Sequence, residues 1–203
     1  MTEVAEAPVG VGEGPPPGPR PHIQVVPLRG LPIVAVVVVF VVVSITGNWL
    51  WPLAFCHVVG GGLWTAIDLF VGFVVGPIIG KLSLPARAEF TARFMPKMVL
   101  IMPTVVLMTL AAGLQLALHL GNLAPSSPNH AWLVASFCVV GVMAVVALGV
   151  LEPANIAVLF EMNKPEPDGE VIGMLMKRFI YTAGITGAMQ VATLVIMTRV
   201  ATQ

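Results

Sequence analysis

Long apolar runs broken by short polar interruptions dominate this chain. The first is LPIVAVVVVFVVVSIT, which covers residues 31–47 once Gly47 is added and stops at the turn dipeptide Gly47-Asn48. Four more runs follow at about 52–80, 97–118, 131–151 and 179–198. A helix needs ~20 apolar residues to cross a hydrocarbon core of ~30 Å, and each run is near or above that length. The first is short and the second is long enough to tilt. Only GNWLWP separates them, so a fusion of the two would leave four spans. The pattern predicts an all-α membrane protein, a bundle of five transmembrane helices (four if the first two spans are one).

Composition agrees with the pattern. Hydrophobic residues make up 57% of the 203, charged residues 10%, and the mean hydropathy is +0.94. A water-facing domain carries roughly 25% charged residues, so the expected partner of most of this surface is the lipid bilayer. The formal net charge of zero offers no basic footprint, and no nucleic acid is expected as a partner. Five spans place Arg20, Arg29, Lys81, Arg87, Arg93, Lys97, Lys164, Lys177 and Arg178 on one side, nine of the ten Lys and Arg, with Arg199 opposite. By the positive-inside rule the N-terminus is cytoplasmic. Trp49, Trp51 and Trp132 then fall at the outer interface.

The segments between spans are short. Residues 1–30 are rich in Pro and Gly and read as a disordered cytoplasmic tail, with residues 31–203 as the transmembrane domain. No small-residue cleavage site follows the valines, so the first run is expected to remain a span rather than leave as a signal peptide. ARAEFTARFM sets Phe90 and Phe94 on one face and Glu89 four residues before Arg93. It predicts a short amphipathic helix along the inner surface. KPEPDGE is a turn with Asp168 as N-cap of the last helix.

Polar residues inside the apolar runs are the candidate chemistry. At 100° per residue His57, Gly61, Trp64 and Asp68 form one stripe and should face one neighbour. His57 and Asp68 lie about 16 Å apart along the axis, too far to share a ligand. An intramembrane acid costs about 2.5–3.5 kcal/mol on insertion scales, which makes Asp68 a candidate site and a hydrogen-bonded packing residue its plainer alternative. Glu152, beside Pro153, is expected to accept from Arg or Lys in the inner loops, or else to serve transport with Asp68. His57, His119 and His130 all map to the outer side, where converging imidazoles would hold haem iron or copper; solvated helix-end histidines are the plain reading. Met95, Met98 and Met102 have helical spacing and thioethers suited to Cu(I), although core filling explains such a stripe equally well. Cys56 and Cys138 form no CxxC pair and are expected to be inert buried thiols. Gly72, Gly76 and Gly80 on the second span, and Gly184, Ala188 and Ala192 on the last, are small-residue faces for close packing within the bundle or against a partner chain.

FCHVVGGGLW (55–64) and RFMPKMVLIMPTVVLMTLAAGLQLAL (93–118) together resemble the superfamily that contains the HemJ-type protoporphyrinogen oxidases, the CopD copper-resistance proteins and related small bacterial membrane proteins. The likeness covers roughly residues 52–118, with an echo in RFIYTAG at 178–184. It implies a HemJ/CopD-like helical architecture, a bacterial cytoplasmic membrane and a haem b ligand at His57, with Trp64 beside it. The family's lysine after its later Trp motif is absent here, where Ser136 stands, and its following histidine falls near Glu152. The oxidase activity is therefore not implied.

Three functions are expected on these grounds. The first is a haem- or metal-binding membrane component of a redox or metal-handling system, with His57 as ligand, helped by His119, and copper as the lesser choice. The second is a cofactor-free accessory subunit, packed through its glycine faces against other membrane subunits or in a homo-oligomer. The third is a small proton- or cation-coupled transporter using Asp68 and Glu152.

Overall fold

The computed structural model describes residues 23–202, with the side chain of Leu84 excepted. It holds five helices long and apolar enough to cross a membrane, and no strand among the described residues. They are α1 (Leu31–Thr46), α2 (Leu50–Lys81), α3 (Leu84–His119), α4 (His130–Met162) and α5 (Gly169–Ala201). Five spans, not four, result because the chain reverses at Gly47-Asn48. Asn48 takes a φ of 50°, a left-handed conformation that asparagine tolerates, and its Oδ1 accepts from Gln115 Nε2 at 2.9 Å. The turn is thereby fastened to α3.

Prolines shape the helices without ending them. Residues Val71–Val75 of α2 and Ala147–Leu151 of α4 adopt π-helical turns, each closely followed by a proline, Pro77 or Pro153. Proline withholds the N–H that the carbonyl four residues earlier would accept, and widening the preceding turn relieves the clash. Pro96 and Pro103 lie inside α3, which runs unbroken for 36 residues. The expected surface helix around ARAEFTARFM is therefore the first part of α3 itself. Its local pairs form as the spacing implied: Phe90 and Phe94 stack at 5.1 Å, and Arg93 Nη2 meets Glu89 Oε1 at 2.6 Å. Asp168 caps α5, accepting from Glu170 N at 2.8 Å and Val171 N at 3.3 Å.

α2 packs chiefly on α3 and then on α5; α5 also lies along α4, and α3 meets α4 over its last turns. α1 lies outside this four-helix ring against α3 and α2. The main core gathers Trp64, Val71, Met95, Met143, Val158 and Phe179, all buried. Met98 and Met102 belong to the same core, so the methionine stripe fills space. A smaller cluster of Val41, Leu53, Cys56 and Ala112 seats α1. Outward-facing Val36, Phe40, Val58, Val145 and Val195 cover the bundle with apolar side chains, the surface a bilayer solvates. Cys138 faces outward with them, contrary to the expected burial, while Cys56 is interior.

Part of the expected tail is folded. Residues 1–22 lie outside the described residues, but Ile23 and Val25 pack against the core cluster, and Leu28–Gly30 forms a 3-10 turn leading into α1. Asn163, in the α4–α5 turn, accepts from Ile23 N and donates to Ile23 O, both at 2.9 Å. Two reciprocal amide bonds thus strap residues 23–30 across the basic end of the bundle.

Candidate functional site

Asp68 lies where α2 and α5 approach most closely. One glycine from each helix sets that distance, Gly72 of α2 and Gly187 of α5. A methyl group on Gly72 would stand 2.8 Å from Gly184 N and closer still to its Cα; one on Gly187 would meet Leu69 N at 3.0 Å. Backbones this near leave room only for side chains that interlock. Thr186 and Gln190, one turn apart on α5, reach Asp68 from that side.

The carboxyl is buried, with 2% of the residue exposed. Its Oδ2 accepts from Gln190 Nε2 at 2.7 Å and from Thr186 Oγ1 at 3.0 Å. Thr186 has one hydroxyl hydrogen and three acceptors within 3.0 Å, the others being Thr182 O and Ala183 O. The Asp68 bond is therefore shared in time with the helix backbone. Trp64, one turn before Asp68, turns its indole N–H toward the same carboxylate in a long, loose hydrogen bond. Gln190 Oε1 is buried without a partner in this cluster. An unpaired acceptor beside an intramembrane carboxylate is costly, about 1–3 kcal/mol.

The expected single stripe divides between two neighbours. His57 Nδ1 lies 3.0 Å from Thr109 O on α3, and because a carbonyl only accepts, Nδ1 carries the hydrogen. The ring sits over Gly113, where a methyl group would strike Nδ1. Asp68 faces α5 instead. α2 crosses the groove between α3 and α5, so residues on one side of it meet different helices at different depths.

A histidine with Nδ1–H given to a carbonyl keeps Nε2 available to a metal. The rest of a donor set is missing. His119 is exposed at the end of α3, about 9 Å along the axis beyond Gly113, where His57 docks. His130 starts α4 with Nδ1 3.1 Å from Leu123 O, closing its own loop. No group of three or more His, Cys, Asp or Glu side chains among the described residues is placed to hold a metal ion. His57 and His130 thus serve separate local bonds and His119 stands exposed away from both, so the residues present do not fit a haem or copper centre built from these three.

Glu152 is half-buried on α4 just after the π turn, with Asn155 as its hydrogen-bond partner rather than a basic residue of the loops. The acids that do pair at this end are Glu89, with Arg93, and Glu161, whose Oε2 meets Lys164 Nζ at 2.6 Å and whose Oε1 accepts from Asp168 N at 3.3 Å. Among the small residues, Gly72 and Gly184 touch as expected, and Gly76 abuts Ile180. Gly80 has open space about it, and Ala188 and Ala192 are exposed. The true seam of α5 runs through Ala183, Gly184 and Gly187, since α5 turns that side, not the 184–188–192 row, toward α2. Sequence reasoning overlooked Thr186 and Gln190. Their spacing of four within an apolar run was the available signal.

No family model matches the chain, and the curated proteins and solved structures contain no match to it either.

Proposed function

We propose that the protein conducts a proton or a small cation across the membrane, with Asp68 as the intramembrane binding group. One observation carries this reading: a buried carboxylate in an apolar bundle whose polar shell leaves one acceptor, Gln190 Oε1, unpaired and engages one donor, Trp64 Nε1, only loosely. A purely structural aspartate would be expected to complete its shell. Gln190 Oε1 and the loosely held Trp64 Nε1 offer a passing water or hydrated cation both kinds of bond, and Thr186 can release Asp68 by turning its hydroxyl to Thr182 O. Glu152 supplies a second station, nearer the basic end by on the order of 5 Å of helical rise. Both acids adjoin π turns, the helical irregularity most often found where a helix must adjust at a functional site. By the positive-inside rule the basic end faces the cytoplasm, and the membrane is the bacterial cytoplasmic membrane implied by the resemblance. No step is assigned to haem or copper.

The test is flux in proteoliposomes, read with an internal pH dye under a potassium-valinomycin potential and with sodium and potassium gradients. Asp68→Asn keeps an acceptor for Thr186 and Gln190 and can donate to Gln190 Oε1, so it should fold. The expected result is wild-type flux that Asp68→Asn abolishes. Equal flux in both proteins would defeat the proposal. So would no flux in either, which would favour the accessory-subunit alternative.

A further inference from the structure

At the basic end of the bundle, the strap of residues 23–30 does not lie flush on α3. It leaves an open groove of about 360 Å³ lined by Ile23, Gln24 and Pro27 from the strap and by Ala92, Arg93, Pro96 and Lys97 from one face of α3. We infer that this groove binds the headgroup of an anionic phospholipid, with Lys97 and Arg93 holding its phosphate.

Four features point to that ligand. The first is depth. Beyond Lys97, α3 turns apolar side chains such as Ile101 and Leu107 outward, and α1 does the same from Leu31 on, so the groove lies at the hydrocarbon boundary where headgroups sit. The second is charge. Arg93 and Lys97 are four residues apart on one face, and both are exposed. Arg93 is paired with Glu89, whereas no carboxylate among the described residues is within ion-pair distance of Lys97. The third is the wall chemistry. Ile23, Pro27, Ala92 and Pro96 give apolar contact for the glycerol and upper acyl carbons, and Pro96 withholds the backbone N–H that the carbonyl of Ala92 would otherwise accept. A hydroxyl of a phosphatidylglycerol headgroup can donate to that carbonyl. The fourth is rigidity. The strap is anchored at one side by the reciprocal Asn163 bonds and at the other by Gly30, where an added methyl group would stand 2.8 Å from Leu100 Cδ1. The groove is therefore built into the fold and owes nothing to Asp68.

The experiment is native mass spectrometry of the full chain released from nanodiscs of phosphatidylcholine with and without phosphatidylglycerol. Wild-type, Lys97→Ala, Lys97→Arg and Lys164→Ala proteins are compared, the last removing a cation at the same end but outside the groove. The expected result is one retained phosphatidylglycerol, reduced roughly five-fold in occupancy ratio by Lys97→Ala, restored by Lys97→Arg and unchanged by Lys164→Ala. Equal loss with Lys164→Ala would reduce the effect to general surface charge and overturn the assignment. So would equal retention of phosphatidylcholine, or competition by inorganic phosphate in detergent as effective as that by the lipid. Because no readout involves flux, failure here leaves the Asp68 proposal standing, and the reverse also holds.

Discussion

Gly72 and Gly80 occupy equivalent places in one four-residue repeat, yet alanine at the two positions should have opposite effects. At Gly72 the added methyl group would meet Gly184 N at 2.8 Å and Gly184 Cα closer still, and both atoms are backbone. No side-chain rotation relieves that contact, so α2 and α5 must separate. At Gly80 nothing lies within 4 Å of the new carbon. Replacing a helical glycine by alanine favours the helix by about 0.8–1.0 kcal/mol at either site. Overpacking costs about 1–3 kcal/mol at Gly72 alone. The propensity term cancels between the variants, leaving Gly72→Ala about 1–3 kcal/mol less stable than Gly80→Ala, with Gly80→Ala at or above wild type. Gly184→Ala, whose new carbon would stand an ordinary 3.5 Å from Gly72 Cα, should match Gly80→Ala. Unfolding in mixed micelles titrated with sodium dodecyl sulfate, followed by tryptophan fluorescence and circular dichroism, measures the difference. Equal stability of Gly72→Ala and Gly80→Ala would refute the α2–α5 seam, and with it the approach that brings Thr186 and Gln190 to Asp68.

Two further substitutions test the other fastenings. His57→Ala removes the bond to Thr109 O and should cost about 0.6–1.7 kcal/mol in the same titration, the range of single interhelical hydrogen bonds in membranes. Gly113→Ala should reproduce that loss by displacing the ring, and no effect from either change would deny the α2–α3 contact its role. Asn163→Ala breaks both bonds to Ile23, about 1 kcal/mol each, and should speed tryptic cleavage at Arg29 and hydrogen exchange at the Ile23 amide, leaving the α5 core protected. Unchanged cleavage and exchange would mean the strap is held by packing alone.

The residues best read in advance are those whose behaviour is local. Apolar runs of membrane length, the Gly47-Asn48 reversal, the Glu89–Arg93 pair, the Phe90–Phe94 stack and the Asp168 cap each depend on spacing within one segment, and chain geometry converts spacing into contact there. Asp68 was marked because a carboxylate among apolar residues is costly wherever the helix turns. Its partners were not marked, since Thr186 and Gln190 lie 118 and 122 residues away and meet it only through the crossing of α2 over α5. The same crossing sends His57 to α3 and Asp68 to α5 from one stripe, separates His57 from the histidines it was expected to join, and gives Gly72 a neighbour that Gly80 lacks. Periodicity fixes which residues share a side of a helix. Which helix that side meets, and at what depth, is decided by packing between elements distant in the chain.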